Sequence, residues 1–516
     1  MKADPLAEAP ADAAPLDRRE LRDRAVGGLA WLAGGRLVAQ TTTLASRVVL
    51  ARILGPTEFA QVAMASVVVD LLELMTGRGM AVAVIQSDEL SERKRSTALW
   101  GTVLQGTALA GLAFAATPLL GLVFRDDQVT RVSQVMIAGA ALLSPSSVFE
   151  ALFARRMNFR NIVLRKIVAS LLGAGLGVGL ALAGFGVWAL VAQRLGAGLL
   201  FFGLAVASSR WRPSLTFSFA DFRELASVSV GSSAAAFTVA AARQIPTFAI
   251  GRYLGAEPLG YYAIARQVVV QPLGYLTQPV QRVMLATLSR LQSDLAAHRS
   301  AYLRAQRTLV LAAAAVPALV GSLAPVAVPA VLGAKWGPSV SLVQILAVPA
   351  TIGVVAAAAG AAVNSLGKTR LLVAVAVVPV LLQVAGLVLG VGDGLEGAAL
   401  GWTGGAVLGL LVQLGTVAMA VGAPVTRLLA PLAQALPPAA GCAVTVMLVT
   451  RAGAGLPGLV VTAIAAIVGL GAYAVVLRLT APEELRWILG RARDALARRR
   501  RGRRGQARVA PPEGAG

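Results

Sequence analysis

The chain has one cysteine, one histidine and few acids, with 25 Asp and Glu against 47 Lys and Arg in 516 residues. The lone Cys442 lies in an apolar run, so no intramolecular disulfide can form and no cysteine-based metal site can be built. His298 stands in a charged loop and reads as solvated rather than as a ligand, so no metal or cofactor is expected. Charged residues make up only 14% and aromatics 5%, against a usual charged share of about 25%. No Gly-x-x-x-x-Gly-Lys-Ser/Thr loop is present to cradle a nucleotide. No catalytic constellation stands out, and the large extramembrane loops of a membrane glycosyltransferase or ligase are missing. The chain therefore does not read as an enzyme. Energy for any transport must come from an ion gradient, a partner or the concentration of the cargo itself.

What fills the chain is apolar: 57% of residues are hydrophobic and the mean hydropathy is +0.72. That cannot be spread over a water-facing surface, so the fold class is an all-α polytopic membrane protein. Apolar runs of about 20 residues can cross a bilayer as helices, and about 14 are found. The chain also repeats itself. Arg52-Ile53-Leu54-Gly55 followed by Ala63-Met64-Ala65 recurs 200 residues later as Arg252-Tyr253-Leu254-Gly255 followed by Ala263-Ile264-Ala265. A weaker match at a spacing of 210 aligns Gly184 and Ala189-Leu190 with Gly394 and Ala399-Leu400. Repetition at the level of membrane spans is a signature of two-lobed transporters, which bind cargo between the lobes. Six spans separate equivalent positions, so the repeats are parallel.

The resulting organisation is a disordered cytoplasmic leader (1–24), an N-terminal six-helix lobe (25–207) and a cytoplasmic linker (208–224). A C-terminal six-helix lobe (225–420), two further transmembrane helices (421–480) and a basic cytoplasmic tail (481–516) follow. Within the second lobe the stretch from Arg282 to Arg307 is polar enough for a cytoplasmic amphipathic helix.

The net charge of +22 sits in short loops and in the tail around Arg498–Arg504. This is the distribution of positive-inside topology and of contact with anionic lipids, and not of nucleic-acid binding. With 14 spans the arginine-rich loops share one side, and both termini are expected to be cytoplasmic.

Polar stripes inside the spans carry the functional reading. In the first span Arg36, Gln40, Thr43 and Arg47 follow at intervals of four, three and four, which places them on one helical face. A charge in the bilayer core costs at least about 2.5 kcal/mol on insertion scales, which points such a stripe at a water-filled cavity. Alternatively Arg47 snorkels to the surface. Arginine is also the side chain shaped to grip phosphate oxygens in a fork. The second span carries Ser66, Asp70, Glu73 and Gly77 on one face, with Arg78 beside them. Asp70 and Glu73 either carry a proton or sodium ion or serve as counter-charges to the first-span arginines. In the seventh span Arg243 and Gln244 precede Pro246 and Thr247, after Ser229, Ser232 and Ser233 upstream. In the eighth, Gln267, Gln271, Gly274, Gln278 and Gln281 form a stripe, with Arg266 next to its start. Such amides can bind sugar hydroxyls or hydrogen-bond between helices.

Three runs carry a family resemblance: Leu50-Ala51-Arg52-Ile53-Leu54-Gly55-Pro56-Thr57-Glu58-Phe59, Ala151-Leu152-Phe153-Ala154-Arg155-Arg156-Met157-Asn158-Phe159-Arg160, and Gly184-Phe185-Gly186-Val187-Trp188-Ala189-Leu190-Val191. Over residues 25–480 the chain resembles the Wzx-type oligosaccharide flippases. It looks closest to their WzxC-like lipopolysaccharide and exopolysaccharide branch, within the multidrug/oligosaccharidyl-lipid/polysaccharide exporter superfamily. The resemblance implies two six-helix lobes plus two C-terminal helices in the bacterial cytoplasmic (inner) membrane. It implies a cargo of undecaprenyl-pyrophosphate-linked oligosaccharide, moved outward across the membrane, and a cationic cavity, here assigned to Arg36, Arg47 and Arg243. A polysaccharide polymerase or ligase complex is the partner such a role suggests. A multidrug or small-molecule antiporter of the same superfamily, a peptidoglycan-precursor flippase and a membrane scaffold for polysaccharide synthesis remain the alternatives.

Overall fold

The computed structural model describes residue 35 and residues 38–87, 90–155, 159–209 and 211–483. The leader 1–24, Arg36 and nearly all of the basic tail lie outside the described residues, as do the side chains of Gly77, Arg78, Ser229, Ser232 and Ser233. The described residues are helical, with no strand among them. Ten stretches are long and apolar enough to span a membrane, the longest, Arg370–Val421, being two helices.

In chain order the first helices are α1 (38–53), α2 (Pro56–Glu73), a wide π turn (Leu74–Arg78) and α3 (Gly79–Gln86). Next come α4 (Glu92–Ala115), α5 (Thr117–Phe124), α6 (Asp127–Leu143), α7 (Ser146–Arg155), α8 (Phe159–Leu182) and α9 (Val187–Ser208). After an extended segment come α10 (Phe219–Tyr253), α11 (Ala256–Ser289), α12 (Leu295–Ala313), α13 (Ala315–Leu332) and α14 (Ser339–Ser365). The series closes with α15 (Thr369–Gly390), α16 (Gly394–Val421), α17 (Val425–Ala452) and α18 (Gly458–Thr480). Local chemistry sets the starts: Ser91, Asp126, Ser218 and Asp294 each cap a helix by accepting from a backbone N–H two or three residues on.

The chain divides into two compact units, Met1–Ile264 and Ala265–Gly516. In the first, Ala65, Val69 and Leu72 of α2 are buried against Val132, Met136 and Ile137 of α6 and Val191 of α9. Both turns of the repeated motif, at Gly55 and Gly255, lie here, each joining one helix to the next. Gly55 caps α2, its N–H donating to Glu58 Oε2 at 2.9 Å, whereas Gly255 takes φ +96°. The copies meet: the Pro56 carbonyl occupies the space a side chain at Gly260 would need.

Residues 211–218, part of the expected linker, are extended and docked. Trp100 Nε1 donates to Ser214 O (2.9 Å), and the Ser96 and Ser214 hydroxyls pair at 2.9 Å. Just beyond, Arg93 and Lys94 hold Asp221 and Glu224 at 3.0 and 2.8 Å.

In the second unit α15 and α16 pack backbone to backbone through Gly386, Gly390, Gly397, Gly401 and Gly405, the small-residue packing of membrane helices. Two expectations are corrected here. The polar stretch Arg282–Arg307 is not one amphipathic helix but the end of α11, a break and the start of α12. His298 is not solvated: it is fully buried, 2.8 Å from Ser365 Oγ. It shares a buried face with Tyr302, Gln306 and Leu309, while Arg299 donates to Gly422 O and Arg307 to Gln434 Oε1, each at 2.8 Å.

Candidate functional site

Burial of the Ala65–Val69–Leu72 stripe on α6 turns the neighbouring stripe of α2, with Ser66, Asp70 and Glu73, toward α9 and α10. The partner waiting there is Arg194 of α9. Its Nη2 donates to Asp70 Oδ1 at 2.8 Å and to Glu73 Oε1 at 2.9 Å, and its Nη1 to Ser66 Oγ at 3.0 Å. From α10, Gln244 Nε2 donates to the other Asp70 oxygen at 3.2 Å. Among the described residues Arg194 is the one charged side chain paired with the two acids. The side chains stay open: Asp70 is 45% exposed, Glu73 51% and Arg194 32%.

One feature of the backbone adjoins the cluster. The π turn begins directly after Glu73, and such wide turns leave ladder groups in need of partners. Gln105 Nε2 donates to Met75 O at 3.3 Å, and Thr76 Oγ1 to Leu72 O at 2.9 Å. Farther along, Arg155 donates to the last carbonyls of α3 and its exit, those of Val84, Ile85 and Ser87. A cation there complements the helix dipole.

The residues singled out from the sequence fall into three groups. Asp70, Glu73 and Gln244 are brought together. Thr43 makes inter-helix contacts, 3.3 Å from Ser170 Oγ, whose hydroxyl also donates to Ala39 O, while Gln193 Nε2 reaches Ser46 Oγ at 2.6 Å. Gln40 and Arg47 are half-buried and Arg243 is exposed. Arg266, Gln267, Gln271, Gln278 and Gln281 belong to the second unit, with Gln278 exposed and the others half-buried.

Arg194 escaped the sequence reading. It is the only charge in the 22 residues of α9, so the insertion-cost rule applied to Arg36 would have found it. The sequence offers the acids either as ion carriers or as counter-charges to first-span arginines; the arginine the structure pairs with them is on the sixth span. The repeat does not carry the cluster across. At a spacing of 200 Asp70 and Glu73 correspond to Val270 and Leu273, and at 210 Arg194 corresponds to Gly404.

A family described as polysaccharide biosynthesis protein matches residues 49–341, more than half of the chain. The succinoglycan biosynthesis transport protein ExoT of Rhizobium meliloti (strain 1021) is 29% identical over 303 residues, 58% of this chain and 60% of that one. The lipopolysaccharide biosynthesis protein WzxC of Escherichia coli (strain K12) is 24% identical over 339 residues, 64% of this chain and 67% of that one. The match to ExoT thus spans about three fifths of that relative's length. Among solved structures, the lipid II flippase MurJ in an inward closed conformation superposes with a TM-score of 0.69 at 13% identity, over 87% of this chain and 98% of that one. An inward-facing multidrug resistance MATE transporter of the MOP superfamily gives 0.61 at 17% identity, over 74% of this chain and 94% of that one. These likenesses establish the fold.

Proposed function

Because the chain belongs to the polysaccharide biosynthesis protein family and is a multi-pass membrane protein, we propose that it is a flippase for lipid-linked oligosaccharide. The cargo is an undecaprenyl-pyrophosphate-linked repeat unit carried from the cytoplasmic to the outer leaflet of the bacterial inner membrane, for a surface polysaccharide. The observation that supports this reading most is the family match over 49–341, which encloses the polar groups of α2, α9 and α10. Transport proceeds by alternating access. Arg36, Arg47 and Arg243 contact the diphosphate, the α11 glutamines and Arg266 contact the glycan, and the polyprenyl chain stays in lipid. Asp70 and Glu73 couple transport to a proton or sodium gradient, or serve as counter-charges. Both termini lie in the cytoplasm, the basic loops and tail meet anionic lipid, and a polysaccharide polymerase or ligase receives the product.

The test is a clean deletion in a strain without a paralogue. Undecaprenyl-linked repeat units accumulate on the cytoplasmic side and one surface polysaccharide is lost; normal polysaccharide refutes the reading. A second reading, a small-molecule antiporter for cationic cargo, draws on one observation: two carboxylates face a single guanidinium at the cluster. It expects the deletion strain to become sensitive to cationic drugs with its polysaccharide intact.

A further inference from the structure

Arg194 is tied in a way that leaves its best binding geometry unused. A guanidinium meets a carboxylate or phosphate most strongly through two parallel bonds, one from each arm of its fork. Here a single nitrogen, Nη2, serves both acids, Nη1 turns to a serine hydroxyl, and neither carboxylate forms a two-point pair. The charges are also unequal, two negative against one positive. Neutralising one acid leaves Arg194 a charged bond to the other and its bond to Ser66; neutralising both leaves it only neutral partners, and its fork becomes available to another anion. The cluster is also open, with Glu73 half exposed.

Resting on the flippase reading above, we infer that Arg194 is a diphosphate-binding residue whose availability is set by Asp70 and Glu73. The two acids are an internal competitor: charged, they occupy the guanidinium; neutralised, by a proton or a bound metal cation, they release it to a diphosphate diester. Asp70 is further engaged by Gln244, whereas Glu73 has its one bond to Arg194. No covalent step is involved. Binding of the anion and neutralisation of the acids favour each other because both draw on one guanidinium. The ligand class is the diphosphate of a prenyl-linked sugar.

The experiment uses the full chain in nanodiscs and a synthetic probe, geranyl-diphosphoryl-glucose, with affinity read by calorimetry. The Asp70→Asn/Glu73→Gln variant is expected to bind the probe about tenfold more tightly than the wild type, the scale of one charge-assisted contact regained. Adding Arg194→Gln should abolish that gain, and Arg194→Lys should restore little of it, since an ammonium lacks the fork. If the double variant does not fold, Glu73→Gln alone carries the test, with a smaller gain in the same direction. An unchanged affinity, a gain that survives Arg194→Gln, or no probe binding by any folded variant each overturns the inference. The cellular deletion reports separately on the flippase reading. Intact surface polysaccharide with Arg194-dependent probe binding would refute that reading and leave the anion site standing.

Discussion

Arg194 shows how one side chain can tie two helices together, α9 to α2, and be expensive to remove. Deleting one partner of a desolvated ion pair strands the other charges, whereas removing all the charges together does not. Arg194→Gln is therefore expected to lose about 1–3 kcal/mol, below the range for fully buried pairs because these side chains keep contact with solvent. Arg194→Gln/Asp70→Asn/Glu73→Gln should recover most of that loss, as thermal melts in detergent would show. His298 poses the opposite case, a neutral hydrogen bond inside a packed interface. His298→Leu should cost about 1 kcal/mol by removing one of the two hydrogen bonds of the buried Ser365 hydroxyl, which keeps its bond to Ala362 O, and Ser365→Ala in the same chain should lessen the loss.

At the scale of elements, legibility follows hydrophobic periodicity. The apolar runs, the repeated turn at Gly55 and Gly255 and the shared face of Asp70 and Glu73 were all readable, because each is local and keeps helical spacing. What was not readable depends on distant partners. Asp70 and Arg194 are 124 residues apart, and nothing local names the match. The π turn at Leu74–Arg78 breaks the 3.6-residue period that sequence reading assumes. The burial of His298 was hidden by the arginines that surround it in sequence, Arg290, Arg299 and Arg304. The docked segment 211–218 likewise passed for a linker, because its anchors, Ser96 and Trp100, lie on α4. That anchoring is open to test. Trp100→Phe keeps the ring and removes the bond to Ser214 O, which should weaken the segment by about 1 kcal/mol and make 211–218 a cleavage site in limited proteolysis. Resistance equal to the wild type would show that the tryptophan bond is not what holds it.

For the whole molecule, the repeat has diverged where the charges are. The first unit carries a carboxylate pair with its arginine, while the equivalent positions of the second copy hold Val270, Leu273 and Gly404. If ion coupling resides at Asp70 and Glu73, it resides in one lobe only. In proteoliposomes with an imposed gradient, Asp70→Asn/Glu73→Gln should still bind cargo but lose gradient-driven transport. Unchanged gradient dependence would leave the two acids as counter-charges.

Asp70 stands near the middle of the Pro56–Gln86 span, 14 residues from one end and 16 from the other. If that stretch crosses the bilayer symmetrically, a charge there would lie about halfway through the membrane field. Among the described residues, the ion pairs of the cluster set two carboxylates against one guanidinium. A cation that reaches the cluster from either surface then crosses about half of the potential drop, worth about 1.2 kcal/mol at 100 mV. If Asp70 and Glu73 bind a coupling cation, its occupancy would depend on voltage, and the resting potential of the cell would itself load or empty the site.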